Sequence, residues 1–96
     1  MTVNMANQSI GLLRTEFMSV NLDGANFTGA GLGHVTFRFT RLNDARFNGA
    51  DLSNADFTGA YLSNADFSGA TIHGAIFEGA TLTGVKGLGP STIPGV

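Results

Sequence analysis

Residues 50–69 read Ala50-Asp51-Leu52-Ser53-Asn54, Ala55-Asp56-Phe57-Thr58-Gly59, Ala60-Tyr61-Leu62-Ser63-Asn64, Ala65-Asp66-Phe67-Ser68-Gly69. Four times over, a small residue, a polar one, a large apolar one and two turn formers follow one another in blocks of five. Working outward, the large apolar position recurs from Leu12 to Leu82 as Leu, Ile or Phe in fifteen consecutive blocks. A period of five belongs to neither an α-helix nor a flat strand. Two residues before each centre stands a small residue, a column holding ten of the chain's eleven alanines and, nearer its start, Ile10, Thr15, Val20, Val35 and Thr40. Two residues after each centre the column is mostly Gly, as at Gly24, Gly29, Gly49, Gly59 and Gly69.

A small and a large apolar residue two apart on an extended segment point to the same side, so both columns enter one core. The remaining columns face outward and are polar. Gly or Asn at the end of each block suits a sharp turn, because both reach φ > 0 at low cost. The chain therefore winds into a narrow coil of short sides. A helix is excluded because a step of five drifts round its surface and the many Gly and β-branched residues oppose it. Collagen is excluded for want of a three-residue Gly period.

Blocks such as Ala50-Asp51-Leu52-Ser53-Asn54 and Ala65-Asp66-Phe67-Ser68-Gly69 resemble the A(D/N)LXX units of the pentapeptide-repeat family, over about residues 10–84. The resemblance implies an all-β fold, a right-handed quadrilateral β-helix with four pentads per coil and a twenty-residue repeat in space. Leu (or Ile) and Phe centres alternate strictly, so such a coil carries Leu on two opposite sides and Phe on the other two. The expected organisation is an N-terminal cap segment over 1–9, a β-helix of about four coils over 10–84 and an irregular tail over 85–96. The tail contains Pro90 and Pro94 and cannot sustain a helix, unlike the terminal dimerisation helix of some relatives. Leu88, Ile93 and Val96 are expected to lie over the last coil.

Composition bounds the chemistry. Charged residues make up 12% of the 96, with a net charge of −2, which argues against direct nucleic-acid binding and strong membrane attraction. With no cysteine, disulfides and thiol chemistry are excluded. Met1 to Gln8 carry no basic start and no apolar run, so no signal peptide is expected; nor does any stretch approach a membrane span. The expectation is a cytoplasmic protein.

No catalytic, metal or cofactor set stands out. His34 and His73 lie about two coils apart, too far to share a metal, and read as solvated wall residues. There is no nucleophile elbow, no phosphate loop and no repeated Thr-x-Thr ladder. Aspartates just before a centre, Asp51, Asp56 and Asp66, are expected to accept hydrogen bonds from turn amides. Twenty-residue stacking places Asn26, Arg46, Asp66 and Lys86 in one column of alternating charge.

The most irregular stretch is Gly31 to Asp44. Phe39 is the one phenylalanine off the core register, so it is expected to be partly exposed. With Arg38, Arg41 and Tyr61, which lies one coil below Arg41, it forms a candidate interaction patch of hot-spot residue types. A cation–π contact between Arg41 and Tyr61 is expected. The N-terminal coil places Leu13 and Met18 in outward columns, and both are candidates for contact between coil ends in a homo-oligomer.

These residues support a non-enzymatic structural or protein–protein interaction module without cofactors, its protein partner unspecified. The alternative is a DNA-mimicking modulator of DNA gyrase, as the resemblance implies for some relatives. B-DNA presents one charge per ~1.7 Å, against which a net of −2 is sparse.

Overall fold

The computed structural model describes residues 3–10 and 16–88. Parallel bridges join residues twenty apart without interruption from Glu16–Thr36 to Asp66–Lys86, so four pentads close one coil and the chain forms a right-handed quadrilateral β-helix. Its first side carries Leu22, Leu42, Leu62 and Leu82; the second Phe27, Phe47 and Phe67; the third Leu32, Leu52 and Ile72; the fourth Phe17, Phe37, Phe57 and Phe77. From Met5 on the second side, through Phe27, Phe47 and Phe67 to Gly87, the chain makes four full coils.

Each corner closes in the same way. The amide of Ala30 donates to the Phe27 carbonyl at 3.0 Å, with Gly29 at φ 67° between them, the mark of a turn that needs φ > 0 at its third residue. Equivalent bonds close the later pentads through Val85 N–H to the Leu82 carbonyl. The expectation of left-handed turn residues holds: Asn7, Asn54, Asn64, Asp44, His34, Ser19 and Phe39 all have φ near 60°. Along each side, neighbouring coils exchange three bonds. On the first side Leu22 and Gly24 donate forward to the carbonyls of Arg41 and Asn43, and Arg41 donates back to Val20.

The interior is as the columns predict. Leu and Phe centres from Phe27 to Leu62 are fully buried, as are the small residues Ala25 to Ala65 between them. Phe rings stack coil on coil at 4.9–5.3 Å. Across the shaft the two Phe sides meet edge to face, as for Phe27 and Phe37 at 5.7 Å. Both geometries are favourable for aromatic quadrupoles. Thr40, in the small column, is fully buried and donates its hydroxyl to the Phe17 carbonyl.

The N-terminal end departs from the expected register. Asn4 bridges Asn26 and Ser9 bridges Gly31, a spacing of twenty-two, so two extra residues fall between Ile10 and Glu16. Residues 3–10 are pentads themselves, bridged to the coil that holds Asn26 and Gly31. Ile10, read as a small-column residue, is instead a centre in register with Leu32, to whose preceding carbonyl, Gly31, it donates at 2.9 Å. Val20, also read as inward, is 41% exposed. Its pentad lacks the closing bond to the Phe17 carbonyl, which accepts the Thr40 hydroxyl. At the other end Leu88 packs against the core. Leu12, Leu13, Ile93 and Val96 lie outside the described residues.

Candidate functional site

Phe39 ends the pentad centred on Phe37, at the corner between the fourth and first sides. Its backbone is left-handed, φ 59°, an uncommon state for a bulky side chain. Its amide is held by the Thr58 carbonyl at 2.9 Å, which fixes the corner whatever residue occupies it. The ring is 49% exposed and leans over Gly59 one coil on, where a Cβ would lie 2.5 Å from a ring carbon. The missing side chain of Gly59 is the seat of the Phe39 ring. Asn54 and Asn64 lean in the same way over Gly74 and Gly84.

Of Arg38, Arg41 and Tyr61, only Arg38 meets this ring. Tyr61 is the bridge partner of Arg41 on the first side and is exposed, as expected from the column. The cation–π contact, however, falls on another pair: the Arg38 guanidinium lies 5.7 Å from the centre of the Phe39 ring. Arg41 turns away from Tyr61 to pair with Asp23 at 2.7 Å, while Arg38 also reaches Asp56 at 3.5 Å. Both ion pairs join residues eighteen apart, a diagonal from the residue after one centre to the residue before a centre one coil away. Both arginines thus reach the patch with their charge partly matched.

Met18, placed outward by the sequence, is exposed on the fourth side, directly before Arg38 in the same column. Val20 is exposed at the next corner, one coil before Thr40. Met18, Val20, Phe39 and Tyr61 therefore gather along the edge between the fourth and first sides. Ile76, also exposed, stands on the fourth side near the C-terminal end. Sequence reasoning did not single it out, although its column otherwise holds Glu16, Thr36 and Asp56.

The aspartates behave as turn anchors. Asp51, Asp56 and Asp66 each accept the amide two residues on, at 2.9–3.0 Å. Hydrogen bonds from the Ser68 hydroxyl, then the Asn48 side chain and the Ser68 amide, hold the Asp66 carboxyl down from 3.8 to about 2, with Lys86 adding a smaller Coulomb pull. Ser53 lowers Asp51 in the same way, first through its hydroxyl. On the first side the device changes: Asp23 and Asn43 accept amides one coil on, from Asn43 and Ser63. His34 and His73 are both exposed. Among the described residues, no three His, Cys, Asp or Glu side chains are placed to hold a metal ion.

A family model of pentapeptide repeats matches the chain in eight copies, over residues 21–59, 32–69 and 45–84. Comparison with curated proteins finds no match. Among solved structures, a pentapeptide repeat protein from the thylakoid lumen of Arabidopsis thaliana is 32% identical, with 86% of this chain aligned to 60% of that one at a TM-score of 0.42. A pentapeptide repeat protein of Nostoc PCC 7120 is 26% identical over 77% of this chain and 64% of its own, at a TM-score of 0.47. HetL, involved in heterocyst differentiation regulation in the cyanobacterium Nostoc sp. strain PCC 7120, is 22% identical over 85% of this chain and 50% of its own, at a TM-score of 0.45. The chain spans between half and about two thirds of the length of these three proteins.

Proposed function

The chain belongs to the pentapeptide-repeat family, and from that premise we propose that it is a non-enzymatic protein-interaction module whose contact surface is the corner built by Arg38, Phe39, Arg41 and Tyr61. The observation that carries this reading is the Phe39 ring, half exposed on a strained left-handed backbone and seated on Gly59. A bulky apolar residue in that state is retained against its local preference, and such outliers gather where a surface is used. Tyr, Arg and a large apolar residue together are the types that dominate interface energetics. The filled interior leaves the walls and ends as the surfaces on which a partner can act.

The Phe39→Ser protein tests this. Serine fits the corner, as Ser19 does one coil earlier at φ 57°, so the fold should hold. Crosslinking in the source cell should capture a discrete partner with the native protein and lose it with Phe39→Ser. Equal capture by both would remove the corner from the function.

The gyrase-directed alternative is less well supported. Asp23 and Asp56 are matched by Arg41 and Arg38, which thins an already sparse negative surface. A supercoiling assay with added protein separates the two readings.

A further inference from the structure

Asn48 is the one asparagine of the chain that is followed by glycine. We propose that Asn48 is a self-modification site, where the side-chain amide becomes a carboxylate through the Gly49 backbone nitrogen when the second side opens. The new carboxylate then loosens the coil. This goes beyond the side-wall corner and does not depend on it. Elsewhere the residue before a corner glycine is Thr, Ser, His, Glu or Asp, as at Thr28, Ser68, His73, Glu78 and Asp23. Asn54 and Asn64 stand at corners themselves and are followed by Ala.

The reaction is a hydrolysis in two parts, with water as the co-reactant. The Gly49 nitrogen gives its proton to solvent and bonds to Cγ of Asn48, and the Cγ–Nδ2 bond breaks to release ammonia. Water then opens the cyclic imide at either carbonyl, leaving aspartate or isoaspartate at position 48. A side chain on the following residue crowds the attacking nitrogen, whereas glycine has no Cβ to do so. At Asn54 and Asn64 the methyl of the next Ala stands in the way, which makes these two an internal comparison.

The closed coil holds these groups apart. Asn48 and Gly49 are the central residues of the turn closed by the Ala50 amide on the Phe47 carbonyl at 3.0 Å, with Gly49 at φ 67°. The Gly49 N–H is donated to the Ser68 carbonyl at 3.0 Å, and the Asn48 carbonyl accepts the Gly29 amide at 2.8 Å. The Asn48 side-chain amide is itself donated to the Asp66 carboxylate. Neighbouring coils on both sides thus fix the two reacting groups, and the attack proceeds from an opened coil, at a rate that follows local opening.

Closure afterwards is no longer the same. The group that donated to Asp66 has become an anion beside an anion, and like charges so close disfavour each other. Among the described residues Asn48 Oδ1 is buried with no hydrogen-bond partner. The new carboxylate therefore also puts charge where nothing donates to it, at greater cost than a neutral amide oxygen. Arg46 and Lys86, the exposed bridge partners of Asp66, offset little of this in water. Isoaspartate adds a main-chain atom between Phe47 and Ala50, which disturbs the spacing that sends both inward. The hydrolysis is one-way, so each opening that ends in it leaves a lasting mark.

Incubation of the full chain in mildly alkaline buffer, with and without guanidinium chloride below the unfolding transition, tests the proposal. Peptides released by pepsin in acid, where the reaction is slow, are read by mass spectrometry at Asn48, Asn54 and Asn64. Conversion should collect at Asn48, as aspartate and isoaspartate together, and should quicken with the denaturant. Asn48→Asp reproduces one product directly and should melt below the native protein. Adding Asp66→Asn should recover part of that loss, since the carboxylate at position 48 then accepts an amide. No conversion, conversion spread evenly over the three asparagines, or conversion equally fast without denaturant overturns the gated site. An Asn48→Asp protein that melts with the native one, or a second substitution that recovers nothing, overturns the loosening.

Discussion

A methyl group on Gly59 has no space, because the Phe39 ring fills the position. Gly49 has the same φ of 67° with nothing within 4 Å of an added Cβ. Both Ala substitutions carry the left-handed cost of about 1–2 kcal/mol, but Gly59→Ala must also displace the ring, adding about 1 kcal/mol or more. Chemical denaturation should therefore rank Gly59→Ala well below Gly49→Ala. In the Phe39→Ser background the excess should disappear, and a persisting excess would show that the ring is not seated there. Asp66 gives a second test at this scale. Its carboxyl is held at about 2 in the folded protein against 3.8 ordinarily, so the ionised form is favoured by folding. That contribution is complete above pH 3.8 and is lost as pH falls from there through about 2. Asp66→Asn keeps an amide oxygen for the Ser68 N–H, as Asn26 does for Thr28. Its melting temperature should lie below the native value at pH 6 and converge with it near pH 2.

At the scale of the pentad, the centre and the wall should separate in energy by a wide margin. Phe57 is fully buried and stacked on Phe37 and Phe77, so Phe57→Ala should cost about 3–5 kcal/mol. Thr58→Ala loses only a hydroxyl bond to Asp56, about 0.5–1.5 kcal/mol. Equal shifts in thermal melting would contradict the register. This division was legible in the sequence because the five-residue period alone decides which side chains turn inward. The length of a coil was not. Leu12 lies five residues before Phe17, so the apolar count runs unbroken past the two extra residues, and only the twenty-two-residue bridges of Asn4 and Ser9 reveal them. A seven-residue step from Ile10 to Phe17 was the signal available. The corner was half legible. Phe39 stood out as off register, but its seat is one Gly in a column full of them. A twenty-residue column pairs Arg41 with Tyr61, whereas the long Arg38 and Arg41 side chains cross to Asp56 and Asp23 along the diagonal of eighteen.

For the whole molecule, a solenoid of four coils has no separate core to protect its ends, so stability should be graded along the shaft. Backbone hydrogen bonding and side-chain burial part company at the C-terminal coil. The Phe77 side chain is 3% exposed, yet its amide donates to nothing among the described residues, whereas the amide of Phe57 one coil earlier donates to Ile76 at 2.7 Å. Amide hydrogen exchange should expose this difference. In dilute protein the amides of Phe37, Leu42 and Phe47 should exchange slowest, because coils cover them on both sides. Those of Phe77, Gly79, Leu82 and Gly84 should exchange orders of magnitude faster, although Phe77 is as much a core residue as Phe57. The back-donating amides of Ile76 and Thr81, bonded to Ala55 and Ala60, should be slow within the same coil, so fast and slow positions alternate along it. Uniform protection in dilute solution would mean that the open donors are covered within one copy. Protection of those four amides that appears only as concentration rises would instead assign the cover to a second copy. The alternation thus reads out directly whether the end of the shaft is bare, self-capped or joined.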